Sequence, residues 1–135
     1  MKDLFTLKTV SAHCDIPCGI YETDTMTHSA ETCKRMIQII EGLEGIDSVE
    51  KQNTLIRSVM NKEKHARIVK RELYILWSDY FKPEHLEKFP DLHDKLWKTA
   101  KQASTVKQTV SMDEALKLID MVHDVAHLFA DSKAK

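Results

Sequence analysis

The chain is poor in the residues that break a fold or staple it. Glycine, proline and cysteine number only three each in 135 residues. So few breakers leave little material for repeated turns and suit long helices with short connections. Three cysteines, an odd number, exclude a fully paired disulfide framework within one chain. Long apolar runs are missing as well. The best local candidate, Leu73-Tyr74-Ile75-Leu76-Trp77, is far short of the roughly 20 residues that cross a bilayer, so no membrane partner is expected. Nor is there an excess of positive charge. Twenty basic against 21 acidic side chains give a formal net charge of -1, and nothing suggests a nucleic-acid partner. The length fits one domain with a core large enough to fold alone.

What is present is helical periodicity. Residues 27–43 place Cys33, Met36, Ile37 and Ile40 at spacings of three and four, with Thr27 or Ser29 near the cap. Gly42, Gly45 and Asp47 mark the end and a turn. A second, long helix is expected over 49–80, striped by Leu55, Val59, Ala66, Val69, Leu73, Leu76 and Tyr80 and stopped by Pro83. A third helical section, 84–103, is broken by Pro90 and resumes through Leu92, Leu96 and Ala100. The fourth opens on Ser111-Met112-Asp113-Glu114, a capping-box pattern, and continues through Leu118, Val122, Val125 and Phe129. The expected fold is all-α: an up-and-down four-helix bundle with an N-terminal hook outside it.

That hook, 13–21, reads His13-Cys14-Asp15-Ile16-Pro17-Cys18-Gly19-Ile20-Tyr21 and packs metal donors closely. His13 offers an imidazole, and Cys14 and Cys18 offer thiolates. A cut before His13 would add a free amine beside the Cys14 backbone nitrogen. Two nitrogens and two sulfurs could then bind in one plane, with the His13 ring approaching from above. Planar geometry suits Cu(II) or Ni(II), whereas zinc prefers a tetrahedron. Electron-rich thiolates lower a metal's potential, so such a site would cycle electrons. A bare His-Cys-x3-Cys spacing leaves a zinc or thiol role open against the redox-metal one.

Residues 1–12 end in Val10-Ser11-Ala12, small residues of the kind that precede a signal-peptidase cut. Asp3 and Lys8 interrupt the apolar stretch that a secretory signal needs. The segment therefore reads as a short pro-segment for a dedicated protease, and the location as cytoplasmic.

The hook resembles the metal-binding hook of the nickel superoxide dismutase family. Trp77-Ser78-Asp79-Tyr80-Phe81-Lys82-Pro83-Glu84-His85, running on to Pro90, resembles that family's second strong motif. The resemblance implies disproportionation of superoxide to oxygen and hydrogen peroxide, with a nickel ion alternating between Ni(II) and Ni(III). It implies His13, Cys14 and Cys18 as metal ligands, Asp15 as a residue shaping the hook, and Tyr21 and Tyr80 as tyrosines gating the vacant face. It also implies removal of 1–12 by a maturation peptidase and assembly as a homohexamer, with 22–135 forming the bundle. Family members orient the axial imidazole through a Glu in the first helix and an Arg in the second. By register, Ser29 and His65 stand there instead, a departure from the pattern.

Other polar residues carry plainer readings. Cys33 is expected to be a small buried hydrophobe. His123 and His127, four apart, lack an acidic or cysteine partner and read as a solvent-facing or packing pair, and His85 and His93 likewise. The Glu-Lys mixture over 62–70 reads as a solvated face with local ion pairs. Lys82 and Lys88 could attract the superoxide anion. Two other functions compete: a nickel- or copper-binding metallochaperone without turnover, and a helical scaffold with an incidental disulfide.

Overall fold

The computed structural model describes residues 19–134. Four long helices, α1 (Asp24–Glu41), α2 (Val49–Ile75), α4 (Leu92–Gln108) and α5 (Met112–Lys133), form the bundle, and a short α3 (Pro83–Lys88) lies in the connection between α2 and α4. Each long helix packs on two others: α1 on α2 and α5, and α4 on the same two. α2 and α5 therefore face each other across the diagonal. The expected four-helix bundle is what forms, and among the described residues there is no strand.

The apolar stripes meet in one core. Cys33, Ile37, Ala66, Val69, Leu73, Leu96, Leu118 and Val122 are all 1% exposed or less. Burying one such Leu or Val side chain contributes roughly 1.5–3 kcal/mol, which makes this seam the main source of stability.

Several boundaries differ from those expected, each for a local reason. α1 begins at Asp24, ahead of Thr27 and Ser29, because the Glu22 carboxylate accepts from the backbone nitrogens of Asp24 and Thr25 and from the Thr25 hydroxyl. Thr27 instead donates to the Thr23 carbonyl, and Ser29 is buried. The second helix does not run as a regular α-helix to Tyr80. Residues Leu76–Tyr80 form a π-helical turn, closed by a bond from the Phe81 nitrogen to the Leu76 carbonyl at 2.9 Å. Pro83 stops it as expected, with Phe81 and Lys82 extended.

α4 runs on to Gln108, five residues past the expected end, because its last turn is held from outside. The ammonium of Lys62 donates to the carbonyls of Val106 and Lys107, both at 2.7 Å. Lys62 is only 2% exposed, and burial lowers its pKa. The reading of 62–70 as a wholly solvated face is thus corrected: its first lysine is an internal strut. The ion pairs found among the described residues lie elsewhere, as in Lys51–Asp47 and Lys98–Asp94. Ser111 caps α5 by accepting from the Glu114 nitrogen at 3.4 Å, while the Glu114 carboxylate turns to Gln102 at 2.6 Å.

Candidate metal centre

His13, Cys14 and Cys18, with Asp15 and residues 1–12, lie outside the described residues. The chain becomes describable at Gly19, whose φ of +92° lies in the left-handed region that a Cβ disfavours. Two residues later Tyr21 is buried, after an exposed Ile20. The hook therefore joins the bundle at one end, through a turn that only glycine adopts easily.

That end gathers the second motif. The rings of Tyr21 and Tyr80 stand 5.4 Å apart, although 59 residues separate them in sequence. Tyr80 comes from the π turn, a local widening of the helix often found at functional sites. Phe129 approaches its ring to 4.7 Å and Phe81 to 5.0 Å, while the His85 ring stacks on it at 5.7 Å. His85 is itself fixed, its Nδ1 accepting from the Lys82 nitrogen at 2.9 Å.

The last turn of α5 closes the group. The Ser132 hydroxyl lies 2.8 Å from the Tyr80 hydroxyl, and the Lys133 ammonium donates to the Tyr21 carbonyl at 3.3 Å. Lys133 also sits 3.9 Å above the Phe129 ring. Trp77, also from the π turn, donates its indole N–H to His93 Nδ1 at 2.7 Å. Sequence reasoning missed Ser132 and Lys133, because a serine and a lysine at the end of a helix carry no motif.

Ser29 and His65, aligned by register alone, do meet. Ser29 Oγ and His65 Nδ1 are 3.3 Å apart between α1 and α2. Burial lowers the His65 pKa, and Lys64 beside it pushes the same way. Towards the hook end of the same seam, burial raises the Glu72 pKa, offset in part by Arg71 and reinforced by Glu22.

The remaining polar residues fall as follows. Cys33 is free and fully buried, 3.5 Å from the Lys62 carbonyl, and burial pushes its thiol up to about 11 against the pull of Lys62. A thiol so raised is unreactive at neutral pH. His123 and His127 are exposed. Lys82 is exposed, whereas Lys88 ties α3 to α5 by donating to the Asp131 carbonyl at 2.9 Å. Among the described residues no group of three His, Cys, Asp or Glu side chains could hold a metal ion. No helix among them is long and apolar enough to cross a membrane.

The sequence matches the family model described as nickel-containing superoxide dismutase over residues 8–133. It is 36% identical over 125 residues to a superoxide dismutase [Ni] of Streptomyces coelicolor, covering 93% of this chain and 91% of that one. A superoxide dismutase [Ni] of Streptomyces seoulensis is 36% identical over 124 residues, covering 92% and 90%. The native structure of a nickel superoxide dismutase superposes with a TM-score of 0.79 at 33% identity, covering 90% of this chain and all of the other. With a bundle of this form, its paired tyrosines at the end where the cysteine-bearing segment enters, and these matches over nearly its whole length, the chain belongs to the nickel-containing superoxide dismutase family.

Proposed function

We infer that this protein is a nickel-dependent superoxide dismutase, and the observation that carries the reading is the Tyr21–Tyr80 pair beside the entry of the hook. Cys18 precedes Tyr21 by three residues, so covalent geometry keeps their Cα atoms within roughly 11 Å. Two sulfur donors and a histidine within six residues suit a soft, redox-active metal, and nickel fits that donor set. His13, Cys14 and Cys18 would hold it. Bound there, nickel would supply a one-electron couple for the disproportionation of superoxide to oxygen and hydrogen peroxide.

The chain's own residues organise the approach. Tyr21 and Tyr80 bound the face on which small molecules would arrive; the Tyr80 ring is fixed by Phe81, His85 and Phe129, and the Tyr21 ring packs on Tyr80. In the family pattern a carboxylate and a guanidinium orient the hook's imidazole, and here a hydroxyl and an imidazole stand there. The contact between Ser29 and His65 supports that alignment.

Maturation is part of the proposal. Residues 1–12 are a pro-segment, 13–21 the metal hook and 22–135 the bundle. A partner peptidase cuts between Ala12 and His13, freeing the amine that serves as a donor. The mature protein assembles as a homohexamer, and the broken apolar stretch in 1–12 supports a cytoplasmic location.

The decisive experiment expresses the chain with and without its matching peptidase, confirms the N-terminus by mass, and measures nickel content and dismutase rate. Processed protein with nickel and a rate is the expected result. Processed protein that binds nickel without turnover favours a storage role, and protein that binds none sinks the reading.

A further inference from the structure

The direction of one hydrogen bond at the site can be fixed by counting hydrogens. Ser132 Oγ lies 2.6 Å from the Phe129 carbonyl oxygen and 2.8 Å from the Tyr80 hydroxyl. A serine hydroxyl has one hydrogen, and a carbonyl has none to give. If that hydrogen pointed to Tyr80, two oxygen lone pairs would face each other at 2.6 Å. It therefore goes to Phe129, and the Tyr80 phenol must donate to Ser132. Among the described residues the Tyr80 ring is also packed by four others, those of Tyr21, Phe81, His85 and Phe129, which leave its tilt little freedom.

We propose that Ser132 is a positioning residue that commits the Tyr80 hydrogen to the last turn of α5 and leaves the phenol oxygen able only to accept a further hydrogen bond. The proposal rests on the reading that places nickel at this end of the bundle. Its chemical consequence is a preference for donors. Superoxide and other small anions bring only acceptors, whereas water and hydrogen peroxide bring donors. An acceptor at Tyr80 holds water or departing peroxide and offers no hydrogen bond to an anion, superoxide and inhibitor alike. The two protons that complete hydrogen peroxide then come from solvent, and Tyr80 supplies neither.

The variants Ser132→Ala and Ser132→Thr test this. On metal-free protein, the intensity ratio of the tyrosine Fermi doublet in ultraviolet resonance Raman distinguishes a donating phenol from one that has lost its acceptor. Ser132→Ala should change that ratio, Ser132→Thr should restore it, and in a Tyr80→Phe background the change should vanish. On mature nickel-loaded enzyme, Ser132→Ala frees the phenol hydrogen to turn towards the site. Its inhibition constant for azide should fall by about tenfold, while Ser132→Thr stays at the parental value. An unchanged Raman ratio in a folded Ser132→Ala protein overturns the proposal, as does an unchanged azide constant in an active enzyme. A processed parent protein with nickel and no dismutase rate instead defeats the functional reading, and the Raman comparison still decides the role of Ser132.

Discussion

The ammonium of Lys62 meets the carbonyl of Val106 at 2.7 Å inside the bundle, joining α2 to the last turn of α4. A helix end leaves its final carbonyls without partners, and here one buried cation satisfies two of them. Lys62→Met keeps the aliphatic bulk and orphans both. We expect a loss of about 1–3 kcal/mol in urea unfolding, with helix content retained. Unchanged stability would show that water replaces the ammonium.

Cys33 gives the bundle an alkaline weakness. Its thiol is held up to about 11 by burial, against an ordinary 9.0. The folded chain keeps that proton longer than the unfolded one. The contribution is thus complete below pH 9 and is lost as pH rises towards 11, with a magnitude of order 2 kcal/mol. Unfolding measured from pH 8 to 11 should lose stability more steeply in the parent than in Cys33→Ala. Equal slopes would contradict the assignment.

His65 works at the opposite end of the pH scale. Its pKa is lowered from 6.5, first by burial and then by Lys64. The unfolded chain therefore takes up a proton before the folded one does. Stability present above pH 6.5 is eroded as pH falls towards the lowered value. His65→Gln should flatten this acid limb, and an NMR titration of the ring should show a midpoint below 6.5.

Gly19 controls how the hook leaves the bundle. At φ +92°, alanine is strained even though nothing lies within 4 Å of the added Cβ. A strain of about 1–2 kcal/mol would weaken nickel binding by about tenfold in Gly19→Ala, with the melting temperature of the metal-free bundle unchanged. Titration calorimetry and a thermal melt would separate the two effects.

Cys14→Ser and Cys18→Ser each remove a thiolate from the proposed donor set. Dismutase activity should fall to background in both, with helix content and unfolding midpoint kept, because the described core, from Tyr21 to Phe129, closes among the residues that follow the hook's cysteines. Retained activity in either variant would remove that cysteine from the site.

The bundle was legible because burial repeats every three or four residues along Leu92, Leu96 and Ala100 and along Leu118, Val122 and Val125. The tyrosines were legible only through resemblance, since periodicity alone makes Tyr80 the last member of an apolar stripe. Lys62 was misread because charge predicts exposure, and only tertiary packing supplies the two carbonyls that make its burial tolerable. Ser132 could not be found at all. Its importance comes from a partner 52 residues away, and serine near a helix end is unremarkable locally.

The turn over Leu76–Tyr80 makes the site depend on how the helix winds. Each residue of an α-helix advances about 100° around its axis, and the π turn takes up one extra residue, so the same chain wound as a regular α-helix would carry Tyr80 roughly that far around. Its ring would leave the company of Tyr21 and Phe129 while every apolar residue upstream stayed in place. In this part of the chain, side chains decide what the site is made of, but the winding of one turn decides where it points.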